Sequence, residues 1–227
     1  MSPSTGLPRR ALVIGASRGI GLALCKRLKE RGREVVATCR RPSAALQALA
    51  VQIETGVEVT SDESVFALAR SLEGVVLDEL ICNAAILRED GLDHVDFDQV
   101  REQLEVNAIG PLRVVKALRG RLRSGGKVAL ITSRMGSIGD NSSGGEYGYR
   151  MSKAALNAAG VSLARDLAGA RIAVAILHPG YVRTDMTHGG GNLHPDESAR
   201  LLVERLDALT LETSGTFWHA NGEILPW

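Results

Sequence analysis

Two residues able to move a proton together lie four positions apart in the second half of the chain. Tyr149 and Lys153 belong to the run Gly-Tyr-Arg-Met-Ser-Lys. Helical positions i and i+4 share a face, so the ammonium is expected beside the phenol, where it favours the ionised form. An unperturbed phenol has a pKa of about 10, and a nearby cation brings it towards neutrality. The spacing therefore predicts a tyrosine that acts as a general acid or base.

A glycine-rich turn near the start of the chain suggests a bound phosphate. Gly15, Gly19 and Gly21 follow the apolar run Ala-Leu-Val-Ile and open an amphipathic stretch. In a strand-turn-helix context, backbone amides and the helix N-terminus hold a pyrophosphate. The spacing is G-x-x-x-G-x-G, which meets the dinucleotide fingerprint G-x-G-x-x-G only in part. The alternative is a tight connection whose glycines serve packing.

The same turn also matches a nucleophile motif. The stretch from Gly15 to Gly19 contains G-x-S-x-G around Ser17, as in the nucleophile elbow of α/β-hydrolases, and His188-Gly-Gly-Gly resembles their oxyanion loop. In that fold the oxyanion loop precedes the nucleophile and several strands precede the elbow, whereas Ser17 follows the first predicted strand. A hydrolase that uses Ser17 is kept as a minor alternative.

The end of the second predicted strand indicates which dinucleotide would bind. An NAD site places a carboxylate there for the ribose 2′-hydroxyl, but this chain has Cys39 followed by Arg40. Arg40, together with Arg18 in the glycine turn, is suited to a 2′-phosphate because a guanidinium matches phosphate geometry. We therefore expect NADPH/NADP+ as cofactor. The alternative is that both arginines are ordinary solvated loop residues.

Short apolar runs alternate with amphipathic stretches along the whole chain. Strands are predicted at 11–14, 34–38, 57–59, 79–82, 127–132, 171–177 and 215–219, and helices at 19–31, 42–49, 62–72, 97–123, 147–168 and 195–209. This alternation predicts an α/β fold with a doubly wound (Rossmann-type), mainly parallel sheet and helices on both faces. We expect a single domain over 1–227, with 1–9 as a flexible tail. Asp62 and Asp196 are candidate N-caps, and Gly32, Gly125 and Gly169 candidate helix ends.

Composition excludes several classes of partner. The chain has 227 residues with 27 basic and 26 acidic side chains, and its basic clusters are short, so nucleic acid is not expected. No apolar run approaches the ~20 residues that span a bilayer, and no signal peptide is predicted. Three cysteines without metal spacing favour a reducing, cytoplasmic location, and five histidines without an H-x-x-x-H pair predict no metal.

Taken in order, these motifs resemble the short-chain dehydrogenase/reductase family over essentially the whole chain. The segment Cys-Asn-Ala-Ala ending at Ala85 resembles the family's Asn-Ala-Gly segment, Asn107 its helix-interrupting asparagine, and His-Pro-Gly-Tyr-Val-Arg-Thr its segment against the nicotinamide. The resemblance implies Asn107, Ser133, Tyr149 and Lys153 as catalytic residues. It also implies a cofactor-binding set, namely Gly15, Ser17, Arg18, Gly19, Ile20, Gly21, Arg40, Glu58, Val59, Asn83, Ala84, Ala85, Tyr149, Lys153, Pro179, Gly180, Val182 and Thr184.

Within the family, the motifs are most similar to C-factor and sniffer-type carbonyl reductases. Two positions depart from the family pattern: Ala85 replaces a glycine, and Glu58 replaces the aspartate that contacts the adenine ring. We expect an NADPH-dependent carbonyl reductase whose substrate is a small-molecule carbonyl compound or alcohol. The alternative of another class is a dinucleotide-binding sensor or signalling protein with incidental catalysis.

Physical roles follow for the four implied catalytic residues. Tyr149, held by Lys153, would protonate the alkoxide that forms when hydride reaches a carbonyl carbon, and Ser133 would donate a second hydrogen bond. Asn107 is expected to disturb its helix, with Pro111 four residues later, and to hold a water that connects Lys153 to solvent. His178 follows a predicted strand and is interpreted as structural.

Two expectations concern the surroundings of the site. Three consecutive glycines, 189–191, predict a mobile segment before the last helix, and so an open, apolar site that accepts several carbonyl compounds. Apolar stripes at Val114 and Leu118, and at Ala155, Ala159 and Leu163, would pair subunits of a homodimer or homotetramer or else face the core.

Overall fold

The computed structural model describes residues 8–227, so residues 1–7 of the expected tail lie outside the described part. Seven parallel strands form one sheet in the order β3-β2-β1-β4-β5-β6-β7. They are β1 (Arg10–Ile14), β2 (Glu34–Cys39), β3 (Gln52–Thr55), β4 (Leu77–Cys82), β5 (Leu122–Ile131), β6 (Ala173–His178) and β7 (Phe217–His219). This confirms the predicted α/β class and doubly wound sheet.

Helices cover both faces of the sheet. They are α1 (Gly19–Glu30), α2 (Ala44–Ala48), α3 (Asp62–Ser71), α4 (Phe97–Leu104), α5 (Gly110–Leu118), α6 (Tyr147–Asp166) and α7 (Pro195–Ala208). Alternate residues of β1 show the division: Leu12 and Ile14 pack with α3, α5 and α6, whereas Ala11 and Val13 pack with α1 and α7. Burial on both faces explains why the central strands are almost wholly apolar.

The strand order reverses between β1 and β4, because β2 and β3 lie on one side of β1 and the later strands on the other. In open α/β sheets, ligands bind at such a reversal, outside the carboxyl ends of the strands. The segments that follow β1, β4, β5 and β6 all emerge at this edge. They carry the glycine turn, Asn83, Ser133 and Pro179.

Several predicted bounds were wrong, for local reasons. The third strand is the polar, partly exposed β3 and not 57–59, where Val57 and Val59 are buried in a loop. Two apolar residues separated by one position are typical of a strand, but here the loop buries both of them. The N-cap of α3 is Ser61, whose hydroxyl accepts from the Ser64 amide, and α7 begins with Pro195 after a His194 cap. Gly125 lies inside β5 and ends no helix.

Candidate active site and dinucleotide groove

Two cavities meet where the strand order reverses. The tyrosine-side cleft, of about 370 Å³, is lined by Tyr149, Lys153 and residues of the segment after β6. The arginine-side cleft, of about 420 Å³, is lined by Arg40, Glu58 and the end of β2. Arg18, Ala84 and Ala85 line both. The two clefts therefore form one groove across the ends of β1 and β4, with one cleft for each half of a dinucleotide.

The glycine turn after β1 is held by close backbone packing. A Cβ on Gly21 would stand 2.1 Å from the Gly15 carbonyl oxygen, and Asn83 donates from Nδ2 to that same oxygen at 2.8 Å. Gly15 has φ +82°, a conformation that L side chains rarely adopt. These glycines thus serve packing, and the pyrophosphate-binding interpretation of the turn stays a prediction.

The N-terminus of α1 suits an anion. No side chain caps it, and its first turn contains no acidic residue. Gly19 and Ile20 of this turn line the tyrosine-side cleft. Because the first amides of a helix have no intrahelical partners and carry the positive end of the helix dipole, they favour a phosphate in the groove. The residues present therefore fit a dinucleotide.

The predicted long helix at 97–123 is interrupted at Asn107. A π-helical turn, Glu105–Ile109, separates α4 from α5. Asn107 is fully buried; its Oδ1 accepts from the Ile86 amide at 2.8 Å, and its Nδ2 donates to the Ile86 carbonyl at 2.8 Å and to Ser152 Oγ at 3.0 Å. Asn107 therefore ties the loop after β4 to the helix that carries Tyr149.

Tyr149 and Lys153 lie on one face of α6, as their spacing predicts. The Lys153 Nζ atom stands 5.6 Å from the centroid of the Tyr149 ring and donates to the Ile131 carbonyl at 3.1 Å. Both side chains are buried yet line the tyrosine-side cleft. Ser133, which follows β5, is also buried; its hydroxyl accepts from the Met135 amide at 3.2 Å and lies close enough to the Tyr149 phenol to lower the pKa of that group.

Burial, not charge, dominates the protonation of this pair. Burial raises the pKa of Tyr149 to about 12, and the neighbouring Ser133 hydroxyl opposes this rise. Burial also lowers the pKa of Lys153 to about 7. The expectation that Lys153 brings the pKa of the phenol towards neutrality was therefore wrong, because desolvation penalises the charged forms of both side chains. At neutral pH Tyr149 holds its proton, which is the form a proton donor needs.

Polar residues outside the family motifs hold α6 in place through hydrogen bonds. The Ser152 hydroxyl donates to the Tyr149 carbonyl at 2.7 Å and accepts from Asn107 Nδ2 at 3.0 Å. Thr132 donates to Asn157 Oδ1 at 2.7 Å, and Asn157 donates to the Gly136 carbonyl at 3.3 Å. A sequence signal existed for Ser152 and Asn157, since polar residues at i+3 and i+8 of Tyr149 lie near the catalytic face of the helix.

Asp90 holds the start of α6. Its carboxylate accepts from the amides of Tyr147 at 2.5 Å and Gly148 at 2.9 Å. The residue lies in the loop after β4, far from α6 in sequence, so no local N-cap signal pointed to it. This contact places the first turn of α6, and with it Tyr149, against the loop that follows β4.

At the other end of the groove, both predicted arginines already have acidic partners. Arg40 Nη1 lies 3.8 Å from Glu58 Oε2, and Arg18 Nη1 donates to Asp185 Oδ2 at 2.7 Å. The side chains of Arg40 and Arg18 are 78% and 74% exposed, so both remain able to turn towards a ligand. Cys39 leaves this end of the groove without the carboxylate of an NAD site.

The segment after β6 is more ordered than its glycines predict. Thr187 Oγ1 accepts from the Thr184 amide at 3.1 Å and lies within donating distance of two carbonyl oxygens, those of Val182 at 2.8 Å and Gly190 at 2.7 Å. A Cβ on Gly191 would stand 2.7 Å from the Tyr181 carbonyl oxygen. The expected mobility is thus not supported, because the glycines permit close backbone contact in a hydrogen-bonded turn. Pro179 and Thr184 from this segment line the tyrosine-side cleft.

Other candidates fall outside the groove or gain no support. His178 packs edge-on against His219, and burial lowers its pKa to about 3, which fits the structural interpretation. Ser17 lines the arginine-side cleft, which has no histidine to activate it.

Residues 8–227 contain no group of three or more His, Cys, Asp or Glu side chains placed to hold a metal. None of the described helices is long and apolar enough to cross a bilayer.

The family model for short chain dehydrogenases matches residues 9–192. The chain belongs to the short-chain dehydrogenase family. A 1-hydroxy-2-glutathionyl-2-methyl-3-butene dehydrogenase from Rhodococcus is 44% identical, over 95% of this chain and 98% of the relative. The C-signal protein of Myxococcus xanthus is 43% identical, over 60% of this chain and 83% of the relative.

Solved structures agree with this assignment. A short-chain dehydrogenase/reductase from Burkholderia multivorans with bound NADP has a TM-score of 0.91 at 34% identity, covering 97% of this chain and 100% of that one. The carbonyl reductase Sniffer of D. melanogaster has a TM-score of 0.92 at 29% identity, with the same coverage. The predicted resemblance, including that to C-factor and sniffer-type proteins, is thereby confirmed. The chain is an oxidoreductase of this family, which uses nicotinamide cofactors.

Proposed function

We propose that this protein is an NADP(H)-dependent carbonyl reductase in which Tyr149 is the acid and base. The observation that carries the proposal is a single groove with buried Tyr149 and Lys153 at one end, Arg40 at the other and Arg18 lining both. A pyrophosphate at the uncapped N-terminus of α1 would lie between them. The bound cofactor supplies the hydride.

Each residue then has a defined task on the substrate oxygen. Tyr149, protonated at neutral pH, donates its proton to the oxygen as negative charge develops there. Ser133 donates a second hydrogen bond to the same oxygen. Lys153 places a cation beside the phenol and stabilises the tyrosinate that proton transfer leaves behind. In alcohol oxidation, that tyrosinate is the base.

The proposed preference for NADPH depends on Arg18 and Arg40. Each guanidinium would give the 2′-phosphate charge-assisted hydrogen bonds worth roughly 1.5–3 kcal/mol. The relative from Burkholderia multivorans binds NADP, which supports the same choice here. Glu58 lies 3.8 Å from Arg40, so its carboxylate would hold that guanidinium and would also accept from the adenine amino group.

The substrate side of the groove favours apolar carbonyl compounds. Ala85, Ile131, Pro179 and Met186 line the tyrosine-side cleft, and we propose that it accepts several aldehydes or ketones. Oxidation of alcohols is equally open to this set of residues. The name of the Rhodococcus relative, a dehydrogenase of a hydroxylated glutathione conjugate, makes such conjugates worth including among the substrates to be tested.

The cellular setting is proposed from surface and thiol chemistry. Cys25, Cys39 and Cys82 are free and buried, as suits a reducing cytoplasm. Val114 and Leu118, one of the two stripes considered for subunit pairing, lie in the core. A homodimer or homotetramer would use exposed apolar side chains on the helices instead, of which Phe97, Ile109, Leu112 and Met151 are examples.

One experiment tests the proposal. Purified protein is mixed with NADPH or NADH and a panel of aldehydes, ketones and the corresponding alcohols, and cofactor absorbance is followed. We expect turnover of several carbonyl compounds, faster with NADPH at limiting cofactor. Binding of NADPH without turnover of any compound would instead favour the sensor or signalling alternative, which the similarity to the C-signal protein keeps open.

A further inference from the structure

The contact between Arg18 and Asp185 connects the glycine turn to the segment beside Tyr149. Arg18 Nη1 donates to Asp185 Oδ2 at 2.7 Å across 167 positions of sequence. We infer that Asp185 competes with the 2′-phosphate of the cofactor for Arg18, so that Asp185 sets cofactor selectivity and a bound 2′-phosphate loosens the segment 185–191. This inference rests on the proposed function, because it requires a cofactor that carries a 2′-phosphate.

Arg18 is placed to serve either end of the groove. It is one of three residues that line both clefts, whereas Arg40 lines only the arginine-side cleft and Asp185 only the tyrosine-side cleft. The Arg18 side chain is 74% exposed, and Asp185 is its sole side-chain partner within residues 8–227. A long, solvated side chain with one contact can exchange that contact without breaking any buried structure.

The exchange favours the phosphate. An ion pair between exposed side chains is weak because water screens both charges, and the Asp185 side chain is itself 70% exposed. A phosphate monoester carries more charge than a carboxylate and offers three acceptor oxygens to a guanidinium. Cofactor with a 2′-phosphate therefore draws Arg18 away from Asp185, whereas cofactor without one leaves the pair in place.

The segment 185–191, which begins with Asp185, makes few other long-range contacts. Residues 185–187 form a short 3-10 turn whose bonds are largely internal, from Thr187 to Thr184 and Val182 and from the Gly189 amide to Thr184. The other long-range ion contact of the segment is between exposed side chains, with His188 Nε2 3.7 Å from Glu89 Oε1. Met186, within this turn, lines the tyrosine-side cleft. Loss of the Arg18 contact would thus change the mobility of the wall next to Tyr149, where substrate enters.

Hydrogen–deuterium exchange of the protein with cofactor fragments tests the coupling directly. Adenosine 2′,5′-bisphosphate would fill only the arginine-side cleft, and adenosine 5′-monophosphate is the matched ligand without the 2′-phosphate. At saturation, the bisphosphate should raise the exchange rates of the amides at 186–191 by about two- to fivefold, the factor that an exposed ion pair supports. The monophosphate should leave these rates unchanged.

Variants test the competition through affinity. Asp185→Asn should tighten NADPH binding by about two- to fivefold and leave NADH binding unaltered, since Arg18 no longer has a competing carboxylate. Its segment should exchange fast with or without ligand. Asp196→Asn is the matched control: Asp196 pairs with Lys26 of α1 at 3.3 Å and is also exposed, though less than Asp185, but lines neither cleft. In an Arg18→Gln background, Asp185→Asn should have no effect on either cofactor.

The outcomes separate this inference from the proposed function. Tighter binding of NADPH than NADH, combined with unchanged exchange at 186–191 and an inert Asp185→Asn, would overturn the inference alone. The same holds if Asp196→Asn tightens NADPH as much as Asp185→Asn, because the effect would then be general electrostatics. Equal binding of NADPH and NADH would overturn both the inference and the cofactor preference, while carbonyl turnover would still support the reductase.

Discussion

The two ends of the groove are built in opposite ways. At the tyrosine side, Tyr149, Lys153 and Asn107 are buried, and Asn107 and Lys153 donate to the backbone carbonyls of Ile86 and Ile131. At the arginine side, Arg18 and Arg40 are mostly exposed and held only by ion pairs. The contrast indicates that proton transfer requires fixed atoms in a low-dielectric setting, whereas cofactor choice depends on mobile charges that a ligand can recruit.

The largest effect is expected at the buried end. Tyr149→Phe removes the proton donor but keeps the ring, so kcat should fall by roughly 10²- to 10⁴-fold, with cofactor affinity changed little. Steady-state kinetics and a fluorescence titration of NADPH measure the two quantities. Tyr147→Phe, an exposed tyrosine two residues earlier on α6, is the control. Near-normal turnover in Tyr149→Phe would refute the assigned mechanism.

The burial of Lys153 should lower the stability of the folded protein. Because burial lowers its folded-state pKa to about 7 from 10.5, the unfolded chain binds more protons between these two values, and stability rises with pH across that window. Lys153→Met should therefore raise the free energy of unfolding on the order of several kcal/mol at pH 6, and the gain should shrink towards pH 10.

Urea denaturation from pH 6 to pH 10 measures this difference. The exposed Lys116→Met should show no such pH-dependent gain. If Lys153→Met were less stable than the parent at pH 6, the hydrogen bond from Lys153 to the Ile131 carbonyl would outweigh the desolvation of the ammonium, and burial would not control this pKa.

Asn107 tests whether the buried network supports catalysis. Asn107→Ala leaves the amide and carbonyl of Ile86 and the Ser152 hydroxyl without this partner, at about 1–3 kcal/mol for a buried group left unsatisfied. We expect lower stability together with lower kcat, since α6 loses its tie to the loop after β4. Asn141→Ala, in an exposed loop, is the comparison. A stability loss with unchanged kcat would limit Asn107 to a structural role.

The smallest effects belong to the exposed end. Arg40→Ala should weaken NADPH binding by about tenfold, as expected for the loss of one charge-assisted contact, and leave NADH unaffected. Cys39→Asp should shift the preference towards NADH, because a carboxylate binds the 2′-hydroxyl and repels the 2′-phosphate. Titration of both cofactors measures the ratio, with Arg41→Ala as the matched neighbour. An unchanged ratio in both variants would mean that other groups select the cofactor.

The sequence by itself determined the family, the order of the motifs, the parallel sheet and the face of α6 that Tyr149 and Lys153 share. Those features depend on local spacing: glycines at a strand-helix turn, a four-residue interval on a helix, and apolar runs of strand length. The edge strand β3 escaped because its residues are polar and partly exposed, so no apolar pattern marked it.

Only the tertiary structure decided the environment of these residues. Desolvation raised the pKa of Tyr149 where the spacing suggested a lower one, and Thr187 ordered a segment whose glycines suggested mobility. Asp185 reached Arg18 from 167 positions away. Burial and long-range hydrogen bonds depend on atoms brought together by the whole fold, and the pattern of any one segment does not contain them.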